Sequence, residues 1–251
     1  MDESALRSSG FSQNVSLFLN RVTYRRASSS QDRDEIFRLR YEANVREQTI
    51  ATNDSGMLTD DFDNVANGVN VCVLVDGELC ASIRLHLLSA ETPDSPLLHA
   101  YPEIMSEKLK SGVRVVDITR LAADYEKARP HRYLPYATVR LSMLAAIQWD
   151  ADLIMAGVRK EHIPFYRREF MAEQLTEPVP YPRLIKLIAL FQIDYRQNGA
   201  AIIAKHPFHA STEQERCAIF GPARDRRSLH PQEEFQPSDE ASPVNAEKQF
   251  C

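Results

Sequence analysis

Several things are missing from this chain, and each absence removes a class of function. No apolar run approaches the roughly 18 residues that a membrane-spanning helix needs. The N-terminus, MDESALRSSG, lacks the charged-then-apolar pattern of a secretion signal. Positive charge is not in excess, since 30 Lys and Arg stand against 35 Asp and Glu for a net charge of −5. A surface built for nucleic acid would need clustered Lys and Arg. Cysteines are few, at Cys72, Cys80, Cys217 and Cys251. None forms a CxxC pair or stands at finger spacing from a histidine, which argues against a metal site. Cys72 and Cys80 lie in apolar segments, as small buried side chains do. A reducing cytoplasm is the expected location.

What is present suits one sizeable core. The chain has 251 residues, 43% of them hydrophobic, and single domains commonly reach about 250 residues. Val22–Arg25 reads as a short strand. Cap-forming Ser and Asp residues then lead into a helix over about 30–47, with Ile36, Leu39 and Ala43 at helical spacing. The runs 69–75 and 79–88 flank Asp76-Gly77, a strong hairpin signal. A polar helix is expected over 103–110 and a third strand over 113–121. A long helix follows over 133–149, then a buried strand over 153–158, a helix over 161–170, and a strand over 184–195. The first 20 residues are polar and weakly patterned and are expected to be flexible. The folded domain is expected over 21–210. Residues 211–251 turn to Pro, Glu, Gln, Ser and Arg and are expected to be mostly disordered.

Four segments then resemble one family when taken in order. They are Ile36-Phe-Arg-Leu-Arg-Tyr-Glu-Ala, Thr59-Asp-Asp-Phe-Asp-Asn64, Gly77-Glu-Leu-Cys-Ala-Ser-Ile-Arg-Leu-His, and Val115-Val-Asp-Ile-Thr-Arg-Leu-Ala-Ala-Asp124. Together they look like the long-chain N-acyl amino acid synthases, relatives of the acyl-homoserine-lactone (autoinducer) synthases within the GNAT-like acyltransferases. Downstream, His162-Ile-Pro-Phe-Tyr-Arg-Arg-Glu-Phe is similar to a GNAT helix, and Pro178-Val-Pro-Tyr-Pro is similar to the synthases' proline-rich turn. The resemblance covers about residues 24–208.

The resemblance implies an α/β (α+β) GNAT-like acyl-CoA N-acyltransferase fold, with a mixed central β-sheet flanked by helices and splayed central strands. It maps the family's charged residues onto Arg40, Asp60, Asp63, Arg84, Asp117 and Arg120. The implied chemistry is attack of an amine on a thioester, which needs a proton acceptor and a stabilised oxyanion. Asp117 is the expected base, directly or through water, with Arg84 and Arg120 beside it as catalytic residues. Arg40, Asp60 and Asp63 would shape the amino-acid site, with one guanidinium holding the substrate carboxylate. Tyr166, one helical turn beyond His162, would face the thiol leaving group. In a regular strand Asp117 and Thr119 point one way and Arg120 the other, so both can serve one cleft only across a β-bulge.

The expected acyl donor follows from a missing glycine loop. Coenzyme A-dependent GNATs carry glycines where this chain reads Lys127-Ala-Arg-Pro-His-Arg-Tyr-Leu-Pro-Tyr-Ala, and those backbone N–H groups grip the pyrophosphate. The acyl-phosphopantetheine of acyl carrier protein is therefore the expected donor substrate, with no cofactor bound permanently. Arg129, Arg132, Arg159 and Lys160 would dock that acidic partner. Val116, Leu121, Leu144, Ile154 and Leu187 are candidate walls for the acyl chain. Asn44 and Ile50 stand where autoinducer synthases carry rings, which lowers the alternative of an S-adenosylmethionine-dependent lactone synthase. A non-catalytic lipid- or carrier-binding module is the third reading. No Gly-x-Ser-x-Gly elbow accompanies His86, His99 or His206, so hydrolase chemistry is disfavoured.

Overall fold

The computed structural model of the chain describes residues 3–181 and 184–223. Its centre is a mixed sheet. The strands are β1 (Val22–Arg26), β2 (Gly68–Val75), β3 (Glu78–Leu88), β4 (Val115–Ala123), β5 (Leu153–Arg159), β6 (Glu173–Gln174), β7 (Val179–Pro180) and β8 (Leu187–Asp194). They run in the order β1-β2-β3-β4-β5-β8-β6, with β7 also paired to β8. Every pairing is antiparallel except that of β4 with β5. The β2–β3 turn has positive φ at both Asp76 (51°) and Gly77 (88°), the two-residue hairpin geometry that the Asp-Gly signal demands.

Helices cover both faces. α1 (Glu3–Leu19), α6 (Leu134–Gln148) and α9 (Glu213–Phe220) lie on the side where Val71, Ile83, Leu85, Val116 and Ile118 are buried. The other side carries α2 (Ser30–Arg46), α3 (Pro96–Ala100) and α4 (Pro102–Lys110), over residues such as Cys72, Leu88 and Val115. Burial on both faces explains the apolar run 71–75 of β2. Shorter or later helices are α5 (Tyr125–Ala128), α7 (Ile163–Phe170) and α8 (Tyr195–Lys205).

The two ends differ from the sequence expectation. Residues 3–19 form a helix, with Val15 and Phe18 buried. Residues 213–220 form another, with Ile219 and Phe220 buried beside Trp149. Two or three apolar side chains per helix anchor what reads as a polar segment. Residues 224–251, where most of the expected tail falls, lie outside the described residues. No described helix is long and apolar enough to cross a membrane.

Two irregularities in the middle of the sheet prepare the site. β4 and β5 pair only from Val115↔Leu153 to Ile118↔Ala156. Beyond that point β4 stays with β3 as far as Ala123, β5 stays with β8 as far as Arg159, and the two parallel strands part. On β4 the register with β3 jumps from Thr119↔Arg84 to Ala122↔Ser82. Arg120 and Leu121 thus oppose the single residue Ile83, and Arg120 takes φ 52°. This is a β-bulge, and it turns Arg120 toward the face that already carries Thr119 and Arg84.

Candidate active site

A cleft of about 470 Å³ opens where β4 and β5 part, within the roughly 300–1,000 Å³ usual for small-molecule sites. Its polar half is lined by Asp60, Asp61, Arg84, Thr119, Arg120 and His99. Its apolar half is lined by Phe62, Pro96, Ile118, Gly157, Tyr181, Leu184 and Ile188.

The polar half is built on the Asp-x-x-Asp spacing. Residues Asp61–Asp63 form one 3-10 turn, and Asp60 and Asp63 cap it reciprocally. The Phe62 N–H donates to Asp60 Oδ1 at 3.0 Å and the Asp60 N–H donates to Asp63 Oδ2 at 2.9 Å. The turn thereby fixes both carboxylates and leaves each able to accept from a guanidinium. Arg40 of α2 donates to Asp63 Oδ1 at 2.8 Å and to Asn70 Oδ1 at 2.6 Å. Arg84 of β3 donates to Asp60 Oδ1 at 2.5 Å, to Asp60 Oδ2 at 3.2 Å and to Asp63 Oδ1 at 2.8 Å. Its Nε donates to Thr119 Oγ1 at 3.0 Å. Arg120 donates through Nη2 to Asp60 Oδ2 at 2.5 Å. Five of the residues expected at the site therefore meet in one network: Arg40, Asp60, Asp63, Arg84 and Arg120.

Their environments differ. Arg40 is wholly buried, and burial pulls it down to about 10, with Asp63 opposing the shift; it is charged at neutral pH and lies outside the cleft lining. For Asp60 burial opposes ionisation, but Arg84 and Arg120 hold its carboxyl far below the usual carboxylate range. Asp63 is likewise lowered, burial being outweighed by Arg40 and Arg84. The network thus holds three guanidiniums against two ionised carboxylates. Every nitrogen of Arg84 is engaged. Arg120 commits one nitrogen to Asp60 and lines the cleft.

Asp117 stands apart from this network. It shares the sheet face of Arg84 and His86 but is fully buried and lines no part of the cleft. α3 closes over it: the Leu97 N–H donates to Oδ2 at 3.3 Å, the Ser95 hydroxyl is a further partner, and Oδ1 has no hydrogen-bond partner among the described residues. Burial pushes the Asp117 carboxyl up to about 7, against the pull of Ser95, Arg84 and Leu97. Of the two routes expected for Asp117, direct or through water, its burial behind the lining favours the indirect one. The carboxyl lies immediately behind Ile118 and Pro96, which do line the cleft.

Tyr166 also falls elsewhere. On α7 it stacks with Phe165 and Phe170 at ring centroids of 5.5 and 6.1 Å, outside the cleft lining, and burial pushes its hydroxyl up to about 12. Tyr166 therefore sits among aromatic side chains and not in the cleft lining. Arg129 and Arg132 are exposed before α6, and Lys160 is exposed after β5. Arg159 is half-buried and paired with Glu47 at 2.5 Å and Glu161 at 3.4 Å. All four therefore sit at the end of the sheet toward which β4 and β5 part. Of the expected acyl walls, Val116, Leu144 and Ile154 are core, and Leu121 and Leu187 are exposed; none lines the cleft.

The histidines divide similarly. His86 is buried beside the network, and burial pulls it down to about 4. A neutral ring can donate from Nε2 to the Phe62 carbonyl, 3.1 Å away. His99 sits exposed on the rim beside Asp94 at 3.2 Å. Among the described residues no group of three His, Cys, Asp or Glu is placed to hold a metal. Sequence reasoning missed Thr119, Tyr181, Ile188 and Gly157. Of these, Gly157 had a readable signal, since a lone glycine inside an apolar strand often marks close approach of another group.

Comparison with known proteins gives this arrangement a setting. The sequence profile described as N-acyl amino acid synthase FeeM matches residues 35–194. No curated protein matches the chain in sequence. Among solved structures, that of FeeM, an N-acyl amino acid synthase from uncultured soil microbes, matches with TM-score 0.60 at 13% identity, over 70% of this chain and 92% of that one. A coenzyme A-dependent acyl-homoserine lactone synthase, BjaI, solved with SAM and isopentyl-CoA, matches with TM-score 0.53 at 14% identity, over 74% and 89%. The acyl-homoserine lactone synthase LasI matches with TM-score 0.53 at 14% identity, over 80% and 95%. At these identities the likeness is one of fold. The mixed sheet flanked by helices is thus a fold that this chain shares with FeeM and with these lactone synthases.

Proposed function

The chain belongs to the family of the N-acyl amino acid synthase FeeM, and from that premise we propose that this acyltransferase moves a long-chain acyl group from an acyl-carrier-protein thioester to the α-amine of an amino acid. The observation that carries the reading is the unbalanced charge at the cleft. Three guanidiniums face two carboxylates, and of the two that line the cavity, Arg84 has every nitrogen engaged, whereas Arg120 commits only Nη2 to the network. A half-buried cation with uncommitted donors favours an anionic partner. The carboxylate of an α-amino acid supplies one, a short bond away from the reacting amine. Arg120 keeps Nε and Nη1 for it, in the fork geometry suited to a carboxylate.

The reaction then runs as follows. The amine nitrogen attacks the thioester carbonyl carbon and the C–N bond forms. The tetrahedral oxyanion collapses, the C–S bond breaks, and the thiolate leaves to be protonated. The amine gives up a proton along the way. Asp60 is a poor acceptor for it, being held ionised between two cations. Asp117, with its carboxyl near 7, matches the pKa wanted of a base at neutral pH. Its burial means that the proton reaches it through a relay rather than directly. Arg84 anchors Asp60 and Thr119 rather than touching substrate, and Arg40 anchors Asp63. The donor is a substrate rather than a resident cofactor, and the exposed cations Arg129, Arg132 and Lys160 at the end where β4 and β5 part support docking of an acidic carrier.

The test is incubation of purified protein with long-chain acyl carrier protein and mixed amino acids, read by mass spectrometry. N-acyl amino acids should accumulate, and the same amino acids as their amides should be poor acceptors. Thioester left intact with every amine, or transfer to S-adenosylmethionine with lactone release, overturns the reading. Acyl-coenzyme A in a parallel arm decides the donor.

A further inference from the structure

Gly157 is the one exposed residue in the otherwise buried stretch Leu153–Val158 of β5. It stands one step past the last pair that β5 makes with β4, where the cleft begins. Its backbone does not require glycine, because it pairs regularly with Leu190 in an antiparallel ladder and its φ lies outside the left-handed region. Glycine inside a strand is destabilising, so a regular strand gains nothing by having it there. The surrounding space accounts for it. A Cβ at this position would fall 2.9 Å from Ile188 Cγ2 and 3.7 Å from the Tyr181 ring. Both neighbours line the cleft together with Gly157 itself. The bare backbone of Gly157 is therefore a section of the cavity wall, beside Ile188 and Tyr181.

We propose that Gly157 sets the bore of the acyl passage, so that use of long-chain donors depends on the side chain missing at this position. This rests on the acyl-transfer reading and adds a specificity-determining residue to it. The ligand class is a linear saturated acyl thioester. Methylenes lying across Gly157 contact backbone at van der Waals distance. An added methyl already crowds Ile188, so it occupies the space that those methylenes need. Each methylene shut out of the cleft lowers affinity roughly fourfold. A short acyl group ends before this section and feels the change less.

Gly157→Ala and Gly157→Val are compared with wild type for kcat/KM over a series of acyl donors from short to long on the same carrier. Acyl-pantetheines of the same lengths are titrated calorimetrically, so that binding is read even without turnover. The expected result is a fall of tenfold or more in the long-to-short ratio, larger for Val than for Ala. Ile188→Ala placed in the Gly157→Ala background should recover part of the long-chain activity, because it removes the atom that the new methyl meets. Long and short donors falling in parallel, or an unchanged ratio in both turnover and binding, overturns the proposal. Wild-type protein that binds long acyl-pantetheines but acylates no amine would sink the underlying reading while leaving the Gly157 comparison to be decided by binding.

Discussion

Two buried arginine networks sit on opposite faces of the same sheet, and they differ in how they end. On the α6 side Arg140 donates to the Phe208 carbonyl at 2.6 Å, to the Ala210 carbonyl at 2.6 Å, and to both oxygens of Glu215 at 2.6 and 3.0 Å. One cation meets one anion, and every nitrogen is engaged by the chain itself. That network is closed, and it fastens α9 and the turn at 207–209 to α6. On the cleft side three cations meet two anions, and the last of them, Arg120, is held at φ 52° on a bulge with a cavity in front of it. Similar chemistry thus does two jobs. Balanced charge and full satisfaction fit a fastening, while surplus charge and backbone strain beside an opening fit a site.

The comparison breaks most visibly at Arg140. Arg140→Ala leaves Glu215 and two carbonyls without their buried partner, and loss of one member of a buried pair costs about 3 kcal/mol or somewhat more. For a chain of this size that lowers Tm by roughly 10 °C. Acyl transfer per folded molecule should stay within about twofold of wild type. A large loss of turnover with an unchanged melting temperature would make the two networks one functional unit and end the distinction.

The converse variant is Arg120→Gly. It removes the surplus cation, leaves two guanidiniums against two carboxylates, and relieves a left-handed backbone that costs a side-chain-bearing residue about 1 kcal/mol. Stability should therefore move by less than about 1 kcal/mol, while kcat/KM for amino acids falls on the order of 100-fold, or about 2.7 kcal/mol. Differential scanning calorimetry and steady-state kinetics on one preparation check both halves. Equal loss of stability and activity would reassign Arg120 to the fastenings.

The two networks were not equally legible in the sequence. Asp60-x-x-Asp63 could be read as a unit because reciprocal capping of a one-turn helix needs that spacing. The bulge at Arg120 was foreshadowed by strand alternation, which put Asp117 and Arg120 on opposite faces unless β4 gained a residue. The Asp-Gly hairpin fixed β2 and β3 to within a residue. Arg140 gave no signal, because its partners lie 68–75 residues away in a segment that reads as polar tail. The covering of Asp117 was hidden for a similar reason. It depends on α3, a five-residue helix started by Ser95 and Pro96, folding down over β4. Tyr181 and Ile188 reach the cleft through the pairing of β7 with β8, a tertiary arrangement that no local pattern encodes.

Asp117 is the member of the cleft face that sharpens the comparison least abruptly, since its effect lies in a pH dependence. Its folded-state value near 7 exceeds the ordinary carboxyl value of 3.8. Between about pH 4 and pH 7 the folded protein keeps a proton that the unfolded chain has lost. Stability attributable to this group therefore falls as pH rises through that window and is level above it. Asp117→Asn removes the slope. The variant should match wild type near pH 4 and exceed it by on the order of 4 kcal/mol at pH 8, in denaturant titrations run at both values. If Asp117 also receives the amine's proton, wild-type kcat/KM should climb with pH through about 7, and the Asn variant should lose that limb along with most of its rate. A stability slope that disappears while the kinetic limb persists would leave Asp117 as the buried seat of α3 and move the base to a group on the cleft surface, where His99 is the imidazole within the lining.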